Sequence, residues 1–269
     1  MRKLLIDADM LLYRMCAACE ERSPFNKEIL IKADPEETWN NITYRTEECL
    51  ETAMAFFDEK LEVVMVLSPK EKTFRYDVYP EYKHNRKDTI RPVLLGDMYE
   101  KLIENYDCRI YPRLEADDVL GILADGDNTI IVSDDKDLKQ IESWHMKLSE
   151  VEYIRYIDET EGMEMFYEQC ISGDTVDGYK GVPGMGKGKA KKWLQTHGYK
   201  WSSVVSAYTG AMSPKSHKGK KLESVNLGLT EKDALVTARL AWILKDKEEY
   251  NEEESKVKGW SPDNRTCWI

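Results

Sequence analysis

The chain has 269 residues, 42% of them hydrophobic and 33% charged, with a formal net charge of −11. That is material for one large or two modest soluble domains, with too much charge for a membrane protein and too much apolar content for a disordered one. The longest aliphatic run, Val63–Leu67, is far short of a bilayer span, Asp7 and Asp9 interrupt any signal-peptide pattern, and six scattered cysteines make no disulfide scaffold, so a cytoplasmic protein without a membrane partner is expected.

Lys3–Asp9 predicts a buried strand ending in carboxylates. Asp34 at the N-cap and Pro35 at the first helical position open a helix whose apolar face includes Trp39, Ile42, Cys49 and Leu50 and runs to about Glu59. Glu62–Leu67 is a second buried strand, stopped by Ser68-Pro69. Ser68 to Pro92 has no clean period, and so long a stretch inside a compact domain is expected to be a lid or binding loop. Val93–Asn105 reads as a helix, Cys108–Tyr111 as a short strand and Glu115–Ala124 as a helix. Thr129–Ser133 is another buried strand, and Asp134–Gln140 a short helix. Buried strands alternating with helices predict an α/β fold: a mostly parallel twisted sheet with helices on both faces. Beyond residue 160 the strand signal stops. Gly162–Ser172, Lys187–His197 and Thr230–Leu244 read as helices, the last opened by a Thr230–Asp233 capping pair, and Glu248–Lys256 as an exposed helix end or tail. The expected organisation is an α/β domain over 1–160 and a helical domain over 161–269.

The acidity is unevenly spread. Between Gly178 and Leu222 there is no Asp or Glu and there are ten lysines, which leaves −21 on the other 224 residues. Lys70–Arg91 is a second basic island, with three arginines and four lysines against four acids. Two such islands in an acidic chain suit surfaces that follow a phosphate backbone.

Acids recur where buried elements end: Asp7 and Asp9, Glu115-Ala-Asp117-Asp118, Asp135-Lys-Asp137, and Asp174-x-x-Asp177. Singly, each is a helix cap or a surface charge. Together they would line the rim at the C-terminal ends of a parallel sheet, where ligands bind. Such a crowd takes up protons unless cations neutralise it. Hard oxygen donors without His or Cys favour Mg²⁺ or Mn²⁺ over zinc, and two such ions about 4 Å apart can activate a water for phosphodiester cleavage.

The motifs LLIDAD, EADD, SDDKDL and Gly173-Asp174-Thr-Val-Asp177-Gly178-Tyr-Lys-Gly181-Val-Pro-Gly184-Met-Gly186-Lys187, in this order over some 190 residues, resemble the 5′-nuclease superfamily. That superfamily comprises phage 5′→3′ exonucleases, flap endonucleases and the 5′-nuclease domain of bacterial DNA polymerase I. The resemblance implies a PIN/5′-nuclease-like α/β domain with a helical arch or gateway at about 70–92, and a helix–hairpin–helix element at about 173–197. It implies two Mg²⁺ (or Mn²⁺) ions: Asp7, Glu115, Asp117 and Asp118 at one, Asp135, Asp137, Asp174 and Asp177 at the other. Lys83 and Arg86, in Tyr82-Lys83-His84-Asn85-Arg86, would be catalytic. Arg75, Tyr82, Gly181, Val182, Gly184, Gly186, Lys187, Lys189 and Lys191 would bind DNA, with K⁺ at the hairpin carbonyls. Ser68 stands where the family often has a ligand Asp, so the first metal site would be weaker, more hydrated or dependent on Asp9.

The implied activity is Mg²⁺-dependent 5′→3′ exonuclease and flap endonuclease cleavage of DNA giving 5′-phosphates. Substrates would be 5′ ends, flaps and single-strand/duplex junctions, with RNA–DNA hybrids as a further class. The chain length suggests a phage-type monomeric enzyme of the host cytoplasm, with a polymerase or single-strand-binding protein as replication partner. The non-enzyme alternative is a DNA-structure-binding protein that keeps the fold. A haloacid-dehalogenase-like phosphatase would leave the Gly/Lys-rich segment unexplained, and a Walker A reading fails because Gly188 replaces the Mg²⁺-binding Ser or Thr. Cys16-x-x-Cys19 lacks partners for zinc, and Trp193, Trp201 and Tyr208 read as helix packing.

Overall fold

The computed structural model describes residues 1–212, 216–217, 220–221, 225–263 and 268–269. Lys215, Lys218 and Cys267, counted above, lie outside the described residues. The chain forms two compact units. Unit 1 comprises Met1–Glu71, Asp88–Asp158 and Leu244–Asp246; unit 2 comprises Lys72–Lys87, Glu159–Ile243 and Lys247–Ile269. Two stretches therefore depart from a single cut at 160. Residues 72–87, most of the expected arch, pack within unit 2, and residues 244–246 return to unit 1.

Unit 1 is built on a six-stranded sheet. Its strands are β1 (Arg2–Asp7), β2 (Leu61–Val66), β3 (Cys108–Arg109), β4 (Gly126–Val132), β5 (Ser143–Lys147) and β6 (Glu150–Ile157), in spatial order β3-β2-β1-β4-β5-β6. All neighbours are parallel except β5 and β6. The fully buried Leu4, Leu5 and Ile6 of β1 and Ile130, Ile131 and Val132 of β4 explain why these strands read as continuous apolar runs: both faces of the sheet are covered. The helices are α1 (Ala8–Ala18), α2 (Pro35–Phe57), α3 (Leu95–Asn105) and α4 (Ala116–Leu123). Asp34 caps α2 by accepting from the N–H groups of Glu36 and Glu37, which holds its carboxyl below the usual range. The strand order reverses between β1 and β4, so their C-terminal ends open the crevice at which doubly wound sheets bind ligands.

Strands β5 and β6 have no counterpart in the sequence reading. SWHMK carries too many polar residues to read as a buried run, and it is held by packing instead: Trp144 meets Phe56, Phe57 and Tyr156 edge-on. The small hairpin of Glu20–Arg22 with Leu30–Ala33 was likewise unsignalled.

Unit 2 packs α5 (Glu159–Ser172), α6 (Lys187–His197), α7 (Trp201–Thr209) and α8 (Glu231–Ala241) around Phe166, Cys170, Leu194, Val204, Tyr208 and Ala238. The Thr230–Asp233 capping box that opens α8 is present in both directions. Residues 248–256 are a correction: in place of an exposed helix end, a 3-10 turn at Lys247–Glu249 leads into a hairpin of Tyr250–Asn251 with Lys256–Val257. Buried Tyr250 and Val257 anchor that hairpin despite its run of glutamates. Among the described residues no helix is long and apolar enough to cross a membrane, and Cys16, Cys19, Cys49, Cys108 and Cys170 are unbridged.

Candidate active site

At the β1/β4 crevice the carboxylates of unit 1 are fixed by the ends of the elements that carry them. β1 stops at Asp7, two residues earlier than expected, because Asp7 turns into the N-cap of α1: its Oδ1 accepts from Met10 N–H at 3.1 Å. Its Oδ2 accepts from Ser133 Oγ at 2.6 Å, across the crevice from the end of β4. The same Ser133 hydroxyl accepts from Asp135 N–H at 3.0 Å, and Asp135 Oδ1 accepts from Asp137 N–H at 2.8 Å. Ser133 thus ties the end of one strand to the acids that follow the other. Sequence reading had used it only as a strand terminus.

Asp7 is 4% exposed. Burial, then the charge of Asp9 and, more weakly, that of Asp135 raise its carboxyl to about 7, against the lowering effect of the Ser133 and Met10 hydrogen bonds. Burial, reinforced by the neighbouring acids, thus makes this carboxyl hold its proton more tightly than an ordinary aspartate does.

Asp9, in the first turn of α1, accepts from Ser68 N–H at 3.1 Å. Ser68 holds several elements in register: its Oγ accepts from Ala116 N–H at the start of α4, and its carbonyl accepts from the Tyr99 hydroxyl. Burial and Asp9 together push that phenol up to about 12. Glu115, nearly buried, is the N-cap of α4 in a reciprocal box with Asp118. Asp118, expected as a ligand, also has a structural part. It is fully buried, and its two oxygens accept from the backbone N–H groups of Glu115 and Leu244, which makes it part of the scaffold that holds α4. Asp117, Asp135 and Asp137 are half-buried.

The remaining predicted acids belong to unit 2. Gly173–Asp174 and Tyr179–Lys180 pair as a minimal antiparallel hairpin, with Val176 and Asp177 at its tip accepted by Asp174 Oδ1. Gly173 and Gly181 must be glycine. A Cβ on Gly181 would lie 2.1 Å from Ile171 O, and one on Gly173 2.2 Å from Gly181 N, at a φ of +65°. The 82–86 segment is seated on this hairpin tip. Arg86 Nη2 pairs with Asp177 Oδ1 at 2.5 Å, Tyr82 OH donates to Asp177 Oδ2 at 2.9 Å, and Asn85 Nδ2 donates to Thr175 O and Val176 O. Lys83, at a φ of +54°, donates its N–H to Asp177 O and lays its ammonium over the Tyr82 ring.

Three residues expected to face DNA are buried instead. Tyr82 is 1% exposed, and Val182, at 5%, belongs to the core of unit 2. Arg75, at 2%, donates from Nε to Leu240 O at 3.0 Å and from Nη2 to Trp242 O at 2.8 Å, fastening the C-terminus of α8. The positions around α6 are on the surface: Gly184, Gly186, Lys187, Lys189 and Lys191 are exposed. Gly186 is the N-cap of α6 and supplies no side-chain cap, its carbonyl accepting from the Lys189 and Ala190 N–H groups, and the positive end of the helix dipole lies at this exposed start. Lys189 Nζ donates to Gly184 O at 2.9 Å. Trp193 and Tyr208 are packing residues, as expected, donating to Ser203 O and to Cys170 O respectively.

The donor set in unit 1 suits a hard divalent cation, being carboxylate oxygen throughout, with the Asp7 carboxyl raised to about 7 by burial and by neighbouring acids. Among the described residues no three His, Cys, Asp or Glu side chains converge on one point. A hard cation among carboxylates spaced in this way would keep several of its own waters, the manner in which Mg²⁺ binds.

A parallel sheet with acids at its switch point, joined in sequence to a lysine-rich helical unit, defines a class, and the comparisons with known proteins identify it. Residues 2–169 match the family described as "5'-3' exonuclease, N-terminal resolvase-like domain", and the chain belongs to that family of 5′→3′ exonucleases. The exodeoxyribonuclease of Enterobacteria phage T3 is 24% identical over 96% of this chain and 92% of its own length. Two solved structures share the fold. The T5 5′-exonuclease with bound divalent metal ions (zinc) aligns with a TM-score of 0.59 at 16% identity, over 90% of this chain and 89% of that one. The T5 flap endonuclease in a pseudo-enzyme–product complex with DNA and metal ions aligns with a TM-score of 0.57 over the same shares.

Proposed function

We propose that the protein is a Mg²⁺-dependent nuclease that hydrolyses DNA phosphodiesters at 5′ ends, flaps and single-strand/duplex junctions, leaving 5′-phosphates. The observation that carries this is the Asp7–Ser133–Asp135 linkage at the switch point of the sheet, with Asp9 beside it. A buried acid crowd at that position is costly to the fold unless a cation enters it. The chain's similarity to an exodeoxyribonuclease and to a metal- and DNA-bound flap endonuclease supports the same reading.

Asp7, Asp9, Glu115, Asp117, Asp135 and Asp137 would hold the metal, which when bound lowers the pKa of a water and neutralises charge on the phosphate. The chain's own contribution is orientation. Ser133 fixes Asp7 and Asp135 together, Ser68 fixes Asp9 against the start of α4, and the Glu115–Asp118 box holds the helix that presents Asp117. Lys83 and Arg86 would stabilise charge building on the non-bridging oxygens. Because Arg86 and Tyr82 now share Asp177, its use as a ligand requires release of that pair. The exposed N-terminus of α6 and Lys187, Lys189 and Lys191 would grip duplex phosphates without reading sequence. K⁺ at the turn would compete with Lys189 for Gly184 O.

The test is digestion of flap, nicked and blunt duplexes labelled at the 5′ or 3′ end, with Mg²⁺ or with EDTA. Release from 5′ ends and junctions in Mg²⁺ alone is expected. Release only from 3′ ends, or cleavage that survives EDTA, would overturn the proposal.

A further inference from the structure

Unit 2 contains an aromatic cavity that the nuclease chemistry leaves unused. Tyr167, Trp201, Trp242 and Trp260 line a space of about 250 Å³ together with Glu249 and Lys258. The indoles are fixed in place: Trp201 Nε1 donates to Glu231 Oε1 at 2.7 Å, and Trp242 Nε1 to Glu249 Oε1 at 2.9 Å. The Trp260 ring lies 4.9 Å from Trp201 and 6.4 Å from Trp242, inclined at 59° and 47°, with Phe166 packed behind both Trp242 and Trp260. Rings so inclined do not stack on one another and fill the space. All four aromatics that line it remain half-buried rather than sealed.

Charge decides what such a cavity can take. The Glu159–Ser172 helix, which supplies Tyr167, carries four glutamates and neither Lys nor Arg. Residues 247–263, which supply Glu249, Lys258 and Trp260, carry six acids and three lysines. These two elements together are therefore at −7, whereas Gly178–Leu222 is at +10. One of the three lysines, Lys256, is already paired with Glu254 at 2.7 Å. A nucleotide could stack on indole, but its phosphate would enter a strongly negative field. A planar cation gains from both the ring quadrupoles and the carboxylates. Guanidinium fits better than ammonium, because it is more weakly hydrated, stacks on aromatic faces and presents a fork to Glu249. The volume suits one side chain rather than a helix or a strand.

We propose that this cavity receives an arginine side chain from an extended basic segment of a partner protein. The nuclease would thus carry a protein-docking site made of residues different from those proposed to hold DNA. The test is a tryptophan-fluorescence titration of the full chain with a Gly/Ser-rich decapeptide carrying two arginines, its lysine counterpart, and deoxyadenosine monophosphate. The arginine peptide should give a saturable change that weakens with salt and exceeds the lysine response. Trp260→Phe keeps a ring against Phe166 and should remove most of the signal. Glu249→Gln keeps an acceptor for Trp242 and should weaken binding about tenfold, with near-ultraviolet circular dichroism verifying the fold of both variants. No saturable change with the arginine peptide, saturation by the nucleotide in its place, or an affinity indifferent to Glu249→Gln would each overturn the proposal.

Discussion

Ser133→Ala removes a single hydroxyl, and the structure says what that should do. Ser133 Oγ donates to the buried Asp7 carboxylate at 2.6 Å and is among the few groups favouring its ionised form. A hydrogen bond to a charged acceptor is worth about 1.5–3 kcal/mol, which is about 1–2 pKa units. With Asp7 at about 7 beforehand, the variant should titrate near 8 to 9 on that scale. At pH 7.5 the ionised fraction would then fall from roughly three-quarters to about a tenth, and Mg²⁺ affinity should drop about tenfold, since the metal must displace the proton. The assay is the Mg²⁺ concentration for half-maximal cleavage of a 5′-labelled flap at pH 7.5 and at pH 9. The requirement should rise at pH 7.5 and largely recover at pH 9, and Ser133→Thr, which keeps the hydroxyl, should stay near wild type. An unchanged requirement, or an equal loss at both pH values, would refute the coupling between Ser133 and the Asp7 charge.

Metal-free protein should lose stability as pH rises through the interval from 3.8 to about 7, because the folded state holds the Asp7 proton more tightly than the unfolded chain; thermal melts with and without Mg²⁺ will show whether the metal restores the loss above that window. Arg75→Ala deletes two charge-assisted bonds to the end of α8. It should cost about 3 kcal/mol of stability by urea unfolding while leaving duplex affinity of the folded protein unchanged; a stable variant that binds DNA weakly would return Arg75 to the DNA surface. Gly181→Ala drives a methyl into Ile171 O and should abolish soluble folding, whereas Gly186→Ala meets open space and should be tolerated, as expression and circular dichroism will report. Changing Lys187, Lys189 and Lys191 together to Ala should flatten the salt dependence of duplex binding without altering the Mg²⁺ requirement.

Much of this was legible because the acids sit at places with a local signature. Asp34 followed by Pro35, Glu115 three before Asp118, and Thr230 three before Asp233 are capping patterns that the backbone alone dictates, and all three were found as caps. β1 and β4 read clearly because their apolar runs are buried on both faces. What the sequence could not express is direction. Asp118 and Asp117 are adjacent in the motif, yet the helix turns one into the scaffold and leaves the other half exposed. Arg75 stands in a basic island, but its two acceptors lie some 165 residues away, so nothing local marks it as buried. Ser133 opens the SDDKDL motif, but its role at Asp7 comes from the parallel register that sets it beside that residue. The 248–256 stretch misled for the opposite reason: its glutamates dominate the composition while Tyr250 and Val257 decide the structure.

If the acids at the β1/β4 crevice form the catalytic centre, Asp7→Asn will show it in single-turnover cleavage of a 5′-flap duplex, with binding of the same duplex measured in parallel. Asparagine keeps the shape: its one carbonyl oxygen can still accept from Met10 N–H, its amide would donate to the Ser133 hydroxyl in place of accepting from it, and it cannot carry the charge. Cleavage should fall to background while duplex affinity is unchanged or higher, because one anion near the phosphates has been removed. Wild-type turnover by a folded Asp7→Asn protein would contradict the account.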